Sequence, residues 1–142
     1  MNMKVYDATG KILGRLATVV AKEAIRGETV HVINCEKTII AGNPEFTIKK
    51  YFQRINRGDV HHGPFFPKTP VGIVKRAIRG MIDYKKPTGK KALKRIKVWI
   101  GVPDQLKKAN IEKDNIKNVN MLKTKHITVG DLSIALGAKK RW

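Results

Sequence analysis

Little in this 142-residue chain could support covalent or metal chemistry. Cys35 is its single cysteine, which excludes an internal disulfide and any zinc module built on cysteine pairs. Ser133 is the one serine, and no nucleophile-elbow pattern surrounds it. No apolar run reaches the ~18 residues of a membrane span. The opening Met1-Asn2-Met3-Lys4-Val5-Tyr6-Asp7 lacks the apolar stretch of a secretory signal. These absences lead us to expect a cytoplasmic protein without membrane attachment. Acidic residues are also scarce, 11 against 30 Lys and Arg, for a formal net charge of +19. Ordinary soluble domains of this size carry roughly 2–8 net charges. An excess of one sign repels itself, so a polyanion that neutralises it is the expected partner.

The excess is uneven. Residues 1–71 hold 11 basic and 6 acidic side chains, 11 − 6 = +5, and residues 72–142 hold 19 and 5, 19 − 5 = +14. Between Lys75 and Lys97 there are ten Lys or Arg and a single acid, Asp83. Charge runs on solvated faces are usually of mixed sign, and this one is nearly pure. Disorder does not account for the composition, because 42% of the residues are hydrophobic and they recur along most of the chain. The length fits one domain, 1–142, with the 56–70 loop and the 138–142 tail as extensions.

Periodicity supplies the elements. Lys4-Val5-Tyr6-Asp7 reads as a short strand turning at Thr9-Gly10. Leu13, Leu16, Ala17, Val20 and Ala24 have helical spacing, with Arg15, Lys22 and Arg26 on the opposite face and Gly27 as the stop. Burying four of those apolar groups contributes about 6–12 kcal/mol before entropy is counted. Thr29–Asn34 reads as a buried strand and Thr38–Ala41 as a second one. Pro44 then opens a helix whose apolar positions are Phe46, Ile48, Tyr51, Phe52 and Ile55. Alternation of strand and helix predicts α/β packing on a largely parallel sheet.

Gly58, Gly63, Pro64, Pro67 and Pro70 forbid regular structure between residues 56 and 70. The His61-His62-Gly63-Pro64-Phe65-Phe66 portion is too apolar for a free linker, so we expect it to be pinned against the body. Helical spacing returns at Val71, Val74, Ala77, Ile78 and Met81, with Lys75, Arg76 and Arg79 on the other side. Lys85–Lys91 reads as a basic turn, Ala92, Leu93 and Ile96 as a short helical turn, and Lys97–Val102 as a strand. Residues 103–125 show no assignable pattern. Thr128-Val129-Gly130-Asp131 resembles a capping box that opens a last helix, Leu132 to Leu136, stopped by Gly137.

Candidate sites can be weighed on chemistry. Gly10 and Gly14 enclose three residues and are followed by Arg15-Leu16, which misses the spacing and the Lys-Ser/Thr of a phosphate loop. The simpler reading is a tight turn, with Gly14 letting the helix approach its neighbour. Adjacent His61 and His62 point to opposite sides of an extended chain, and His31 and His126 stand apart, so no metal set forms. Cys35 reads as a small buried hydrophobe. Asp7, Glu36, Asp59 and Asp83 are scattered and form no carboxylate pair. A mixture of Lys and Arg suits phosphate, since Lys supplies a point charge and Arg a planar fork. Phe65, Phe66, Tyr84 and Trp142 could stack on unpaired bases, as proteins do on RNA. Core packing is the alternative for Phe65 and Phe66, and the preferred reading for Trp99. A helix–turn–helix or zinc module for DNA is missing.

Four stretches of the chain resemble the large-subunit ribosomal protein L-thirteen family in its archaeal and eukaryotic form. They are Asp7-Ala8-Thr9-Gly10-Lys11-Ile12-Leu13-Gly14-Arg15-Leu16-Ala17; Val32–Lys37 through Ala41-Gly42-Asn43; Gly63-Pro64-Phe65-Phe66 leading to Pro70; and Arg76–Ile82 through Gly89 to Ile96–Gly101. The last block carries the most specific spacing, in Gly80-Met81, Gly89 and Gly101. Asp83, where many members have Pro, and Trp99, in place of a smaller residue, are departures that bear on subfamily. The resemblance implies a three-layer α/β/α fold around a four-stranded, largely parallel sheet. It implies a structural constituent of the large ribosomal subunit that binds large-subunit ribosomal RNA early in assembly, beside neighbouring ribosomal proteins. Catalysis, a cofactor and a small-molecule substrate are not part of that implication. Carried onto matching positions, the RNA contacts are Lys75, Arg76, Arg79, Lys85, Lys86, Lys90, Lys91, Lys94 and Arg95. His61, His62 and Lys68 in the loop, and Lys139, Lys140 and Arg141 in the tail, are added as further contacts.

Overall fold

The computed structural model describes residues 2–142. In chain order the elements are β1 (Met3–Asp7), α1 (Leu13–Arg26), β2 (Thr29–Ile33), β3 (Ile39–Ala41), α2 (Pro44–Asn56), α3 (Pro70–Arg79), α4 (Pro87–Lys94), β4 (Ile96–Val98), β5 (His126–Thr128) and α5 (Val129–Ala135). Short 3-10 turns cover Cys35–Lys37, Asp104–Leu106 and Val119–Met121.

Helix α1 follows its periodicity. Leu13, Leu16, Ala17, Val20 and Ala24 are all buried, while Arg15, Lys22 and Arg26 are exposed. Gly27 closes it in the left-handed conformation, φ 106°, with its N–H on the carbonyl of Ala24 at 3.2 Å. The buried stripe packs against α3, α4 and β2, so one helix ties the sheet to the basic second half of the chain.

The sheet differs from the four-stranded expectation. β1, β2 and β4 form a three-stranded parallel sheet in the order β1-β2-β4, and β3 pairs antiparallel with β5 in a separate ladder. The departure begins at Asn34, which adopts the left-handed conformation (φ 54°) directly after β2. Asn34 N–H donates to Gly101 O at 2.9 Å and Cys35 N–H to Trp99 O at 3.1 Å, so the chain folds over the end of β4. Three-residue β3 therefore leaves the parallel sheet and meets β5, Ile39 opposite Thr128. The free edge of β1 is met instead by a single residue, Ile111, bridged in parallel to Val5. Asn110-Ile111-Glu112-Lys113-Asp114 has too few β-branched residues to extend that bridge into a strand.

Residues 103–125, unassigned from sequence, turn out to hold the first β-α unit in place. Leu106 is buried against Val5 and Ile33, and Ile116 enters the main core. Lys11 forms a nearly buried ion pair with Asp114, Ile12 N–H donates to Lys117 O, and Val119 N–H donates to Gly10 O at 2.8 Å. Backbone and side-chain groups distant in sequence thus hold the Gly10 turn. Gly14 has open space where its Cβ would stand, so the close-approach reading of that glycine is wrong.

Helix α2 starts at Pro44 as expected, with Asn43 Oδ1 accepting from Glu45 N–H at 3.1 Å. Its apolar face is narrower than predicted. Ile48, Tyr51 and Ile55 pack on the core, whereas Phe46 and Phe52 are 68% and 53% exposed. At the other end, Thr128 Oγ1 accepts from Asp131 N–H at 3.1 Å, the threonine half of the anticipated capping box. The box opens α5 three residues before the predicted Leu132.

Candidate nucleic-acid interface

Two proline-started helices carry most of the pure-sign segment. Thr69 Oγ1 caps α3 through Gly72 N–H, and Pro70 and Pro87 occupy the first turns of α3 and α4, where no N–H is needed. Ile73, Val74 and Ile78 bury one face of α3. Lys75 is exposed on the other, with Arg76 and Arg79 half-exposed beside it. Arg76 and Arg79 fall in the last turn, where cations are favoured by the helix dipole.

Helix α4 begins inside the stretch read from sequence as a turn. Gly89 allows this start, because a Cβ there would stand 1.9 Å from the carbonyl oxygen of Asp83. With Gly89 and Ala92 pressed inward, Lys90, Lys91 and Lys94 are left exposed. Lys85 and Lys86 precede the helix, and Lys86 Nζ lies 2.9 Å from Asp83 Oδ2. Of the ten cations from Lys75 to Lys97, only Lys86 has an acidic partner within 4 Å among the described residues. Elsewhere carboxylates are used internally. Glu23 bonds Lys4 at 2.7 Å and Arg26 at 2.9 Å, and the Lys4 hydrogen bond, against the opposing push of burial, holds its carboxyl below the usual range.

Arginines of this face lie on aromatic rings. The guanidinium of Arg76 is 4.5 Å from the Phe66 ring centre and donates to the carbonyl of Phe65 at 3.1 Å. Arg79 lies 4.7 Å from the centre of Tyr84. Arg54, which the sequence reading did not single out, stands 5.4 Å from Tyr51 and 5.7 Å from Phe66. Its signal was available in the Tyr51–Arg54 spacing of one helical turn. Phe66 meets Tyr51 edge-on at 5.6 Å, so the apolar loop is indeed pinned to the body, and Phe65 remains 69% exposed beside it.

The other anticipated positions separate into three groups. Arg95 faces inward and donates to the carbonyl of Ala24 at 3.3 Å, closing the end of α1. His61 and His62 sit on an exposed loop tip, where His62 Nδ1 is 3.1 Å from Asp59 Oδ2. Lys68 meets the tail in a shallow cleft shared with Lys139, Arg141 and Trp142, and Lys140 is exposed. Trp142 is half-buried within 3.3 Å of a Cβ built on Gly130, so it is a packing residue and not a free stacking platform. Trp99 packs on the Val5, Ile33 and Leu106 cluster, in line with its preferred reading.

Potential catalytic groups are satisfied locally. Burial pushes the Asp7 carboxyl up, but hydrogen bonds from Asn34 Nδ2, Thr9 N–H and Thr9 Oγ1 outweigh it and hold it below the ordinary value. Burial, with Glu36 adding, pushes the Cys35 thiol up to about 12, which leaves it protonated and unreactive. Among the described residues no cluster of three or more His, Cys, Asp or Glu is placed to hold a metal ion.

A family model described as "Ribosomal protein L13" matches residues 1–105. Large ribosomal subunit protein uL13 of Methanosarcina barkeri is 43% identical over 141 residues, 96% of this chain and 99% of that protein. The uL13 of Methanopyrus kandleri is 42% identical over 136 residues, covering 94% of this chain and 86% of its own length. That of Methanocaldococcus jannaschii is 43% identical over 141 residues, at 96% and 99% coverage. Similarity to these relatives thus extends through the C-terminal segment beyond the family match.

Proposed function

The chain belongs to the ribosomal protein L13 family, structural and non-enzymatic, and from that premise we propose that it is a constituent of the large ribosomal subunit that binds large-subunit ribosomal RNA through the α3–α4 surface. One observation carries the reading: eight cations between Lys75 and Lys94, with one acidic partner among the described residues, on a face where Arg76 and Arg79 are already positioned. Cations condensed on the RNA phosphates are released when such a face neutralises them, and that release drives association. Arg and Lys fixed on helices contact phosphates and position the protein without reading bases. Lys75, Arg76, Arg79, Lys85, Lys86, Lys90, Lys91 and Lys94 supply the main contacts. Lys68 with the Lys139–Arg141 tail, and His61 and His62 at the loop tip, extend them. Arg95 acts within the protein instead.

Early entry into the assembling subunit, contact with neighbouring ribosomal proteins and a cytoplasmic location belong to the same reading. So does a single ribosomal domain over 1–142, with the three-layer arrangement of the family. Sedimentation of a cell extract tests it. The protein should travel with the large subunit through moderate salt and be released by ribonuclease. Recovery as free protein, indifferent to nuclease, overturns the proposal.

A further inference from the structure

Phosphate neutralisation does not explain one part of this face. Between α3, α4 and the 56–70 loop lies a cleft of about 320 Å³ lined by Pro67, Gly72, Lys75, Arg76, Arg79 and Leu93. That volume is at the low end of the ~300–1,000 Å³ of small-ligand sites. Pro67, Gly72 and Leu93 contribute apolar surface, three cations contribute charge, and no carboxylate takes part. The cations demand an anion, yet apolar surface offers nothing to a phosphate. A nucleotide that has left its stack combines both needs, with a flat base beside a phosphodiester.

The cleft is also held in shape before anything binds. A Cβ on Gly72 would stand 2.5 Å from Pro67 Cβ, so the loop rests directly on the first turn of α3. Arg76 is fixed by the Phe65 carbonyl and the Phe66 ring, and Arg79 by the Tyr84 ring. One N–H of Arg76 is spent on Phe65, and the other donors of its guanidinium stay available. Groups already ordered lose little entropy when a ligand arrives.

We propose that this cleft receives one unstacked nucleotide of the bound RNA, its base against Pro67 and Leu93 and its phosphates on Lys75, Arg76 and Arg79. The proposal rests on the RNA-binding reading above and adds a base-sized pocket to it.

Leu93→Trp tests it by filling the cleft without changing charge. Affinity for protein-free large-subunit ribosomal RNA should fall, by less than the roughly 150-fold upper limit for loss of a base stacked on an aromatic ring, because Pro67 and Leu93 are aliphatic. The slope of log affinity against log salt should stay as in the unsubstituted protein, because phosphate contacts are kept. Lys75→Ala should lower that slope by about one unit. Equal affinity of Leu93→Trp and the unsubstituted protein overturns the cleft while leaving RNA binding intact. Failure of the unsubstituted protein to bind this RNA overturns the functional reading and the cleft with it. Ultraviolet crosslinking of the unsubstituted protein to the RNA covers a folding failure in Leu93→Trp. A nucleotide attached to the Pro67–Arg79 or Leu93 peptide supports the cleft, and attachment confined to other peptides overturns it.

Discussion

His31 shows how much one buried side chain depends on its surroundings. Sequence places it in an apolar strand and says nothing of its protonation. In the folded protein it is buried, with Nδ1 accepting from Trp99 Nε1–H at 3.2 Å, which requires a neutral ring carrying its proton on Nε2. Burial first, and the Lys97 charge second, lower its pKa below the ordinary value. As pH falls below ~6.5 the unfolded chain takes up the proton before the folded one does. The contribution of neutral His31 is therefore complete above ~6.5 and is lost as pH falls through the depressed folded value. Urea unfolding at pH 7, 6 and 5 should show stability declining, and His31→Phe should flatten the decline. Cys35 contrasts with it: its role as a small buried hydrophobe was legible, because a cysteine without a cysteine partner is most often packed as one.

Helices differ in how openly the sequence states them. α1 was legible in its span, buried face and stop, because its apolar residues form a single stripe closed by a glycine. α2 misled, since Phe46 and Phe52 share its apolar content but not its buried face. α4 was partly hidden, because its start depends on a contact between Gly89 and the Asp83 carbonyl that periodicity does not encode. That contact turns Lys91 outward, while Arg79 is held on Tyr84 at the end of α3. Arg79→Glu combined with Lys91→Glu should weaken ribosomal RNA binding and lower its salt slope by about two units. Urea stability should fall by only about 1–2 kcal/mol in all, from the lost Arg79–Tyr84 contact and the lost last-turn cations. A collapse in stability would assign these residues to the fold.

For the molecule as a whole the net charge of +19 governs solution behaviour. If six to ten phosphates are engaged, affinity for large-subunit ribosomal RNA should fall roughly 10³–10⁵-fold between 50 and 200 mM salt. Filter binding across that range measures it, and a flat response contradicts phosphate-driven association. The sequence by itself determined the basic surface, the α/β class and most of the helix positions, because charge and hydrophobic spacing are local properties of the chain. Its pure-sign segment also marked the candidate interface. Only the tertiary structure decided that β3 leaves the parallel sheet, that residues 103–125 cover β1 and hold the Gly10 turn, and that Arg95 and Trp142 turn inward. Each of these rests on contacts between segments far apart in the chain, such as Lys11 with Asp114 or Asn34 with Gly101, and no local pattern carries them.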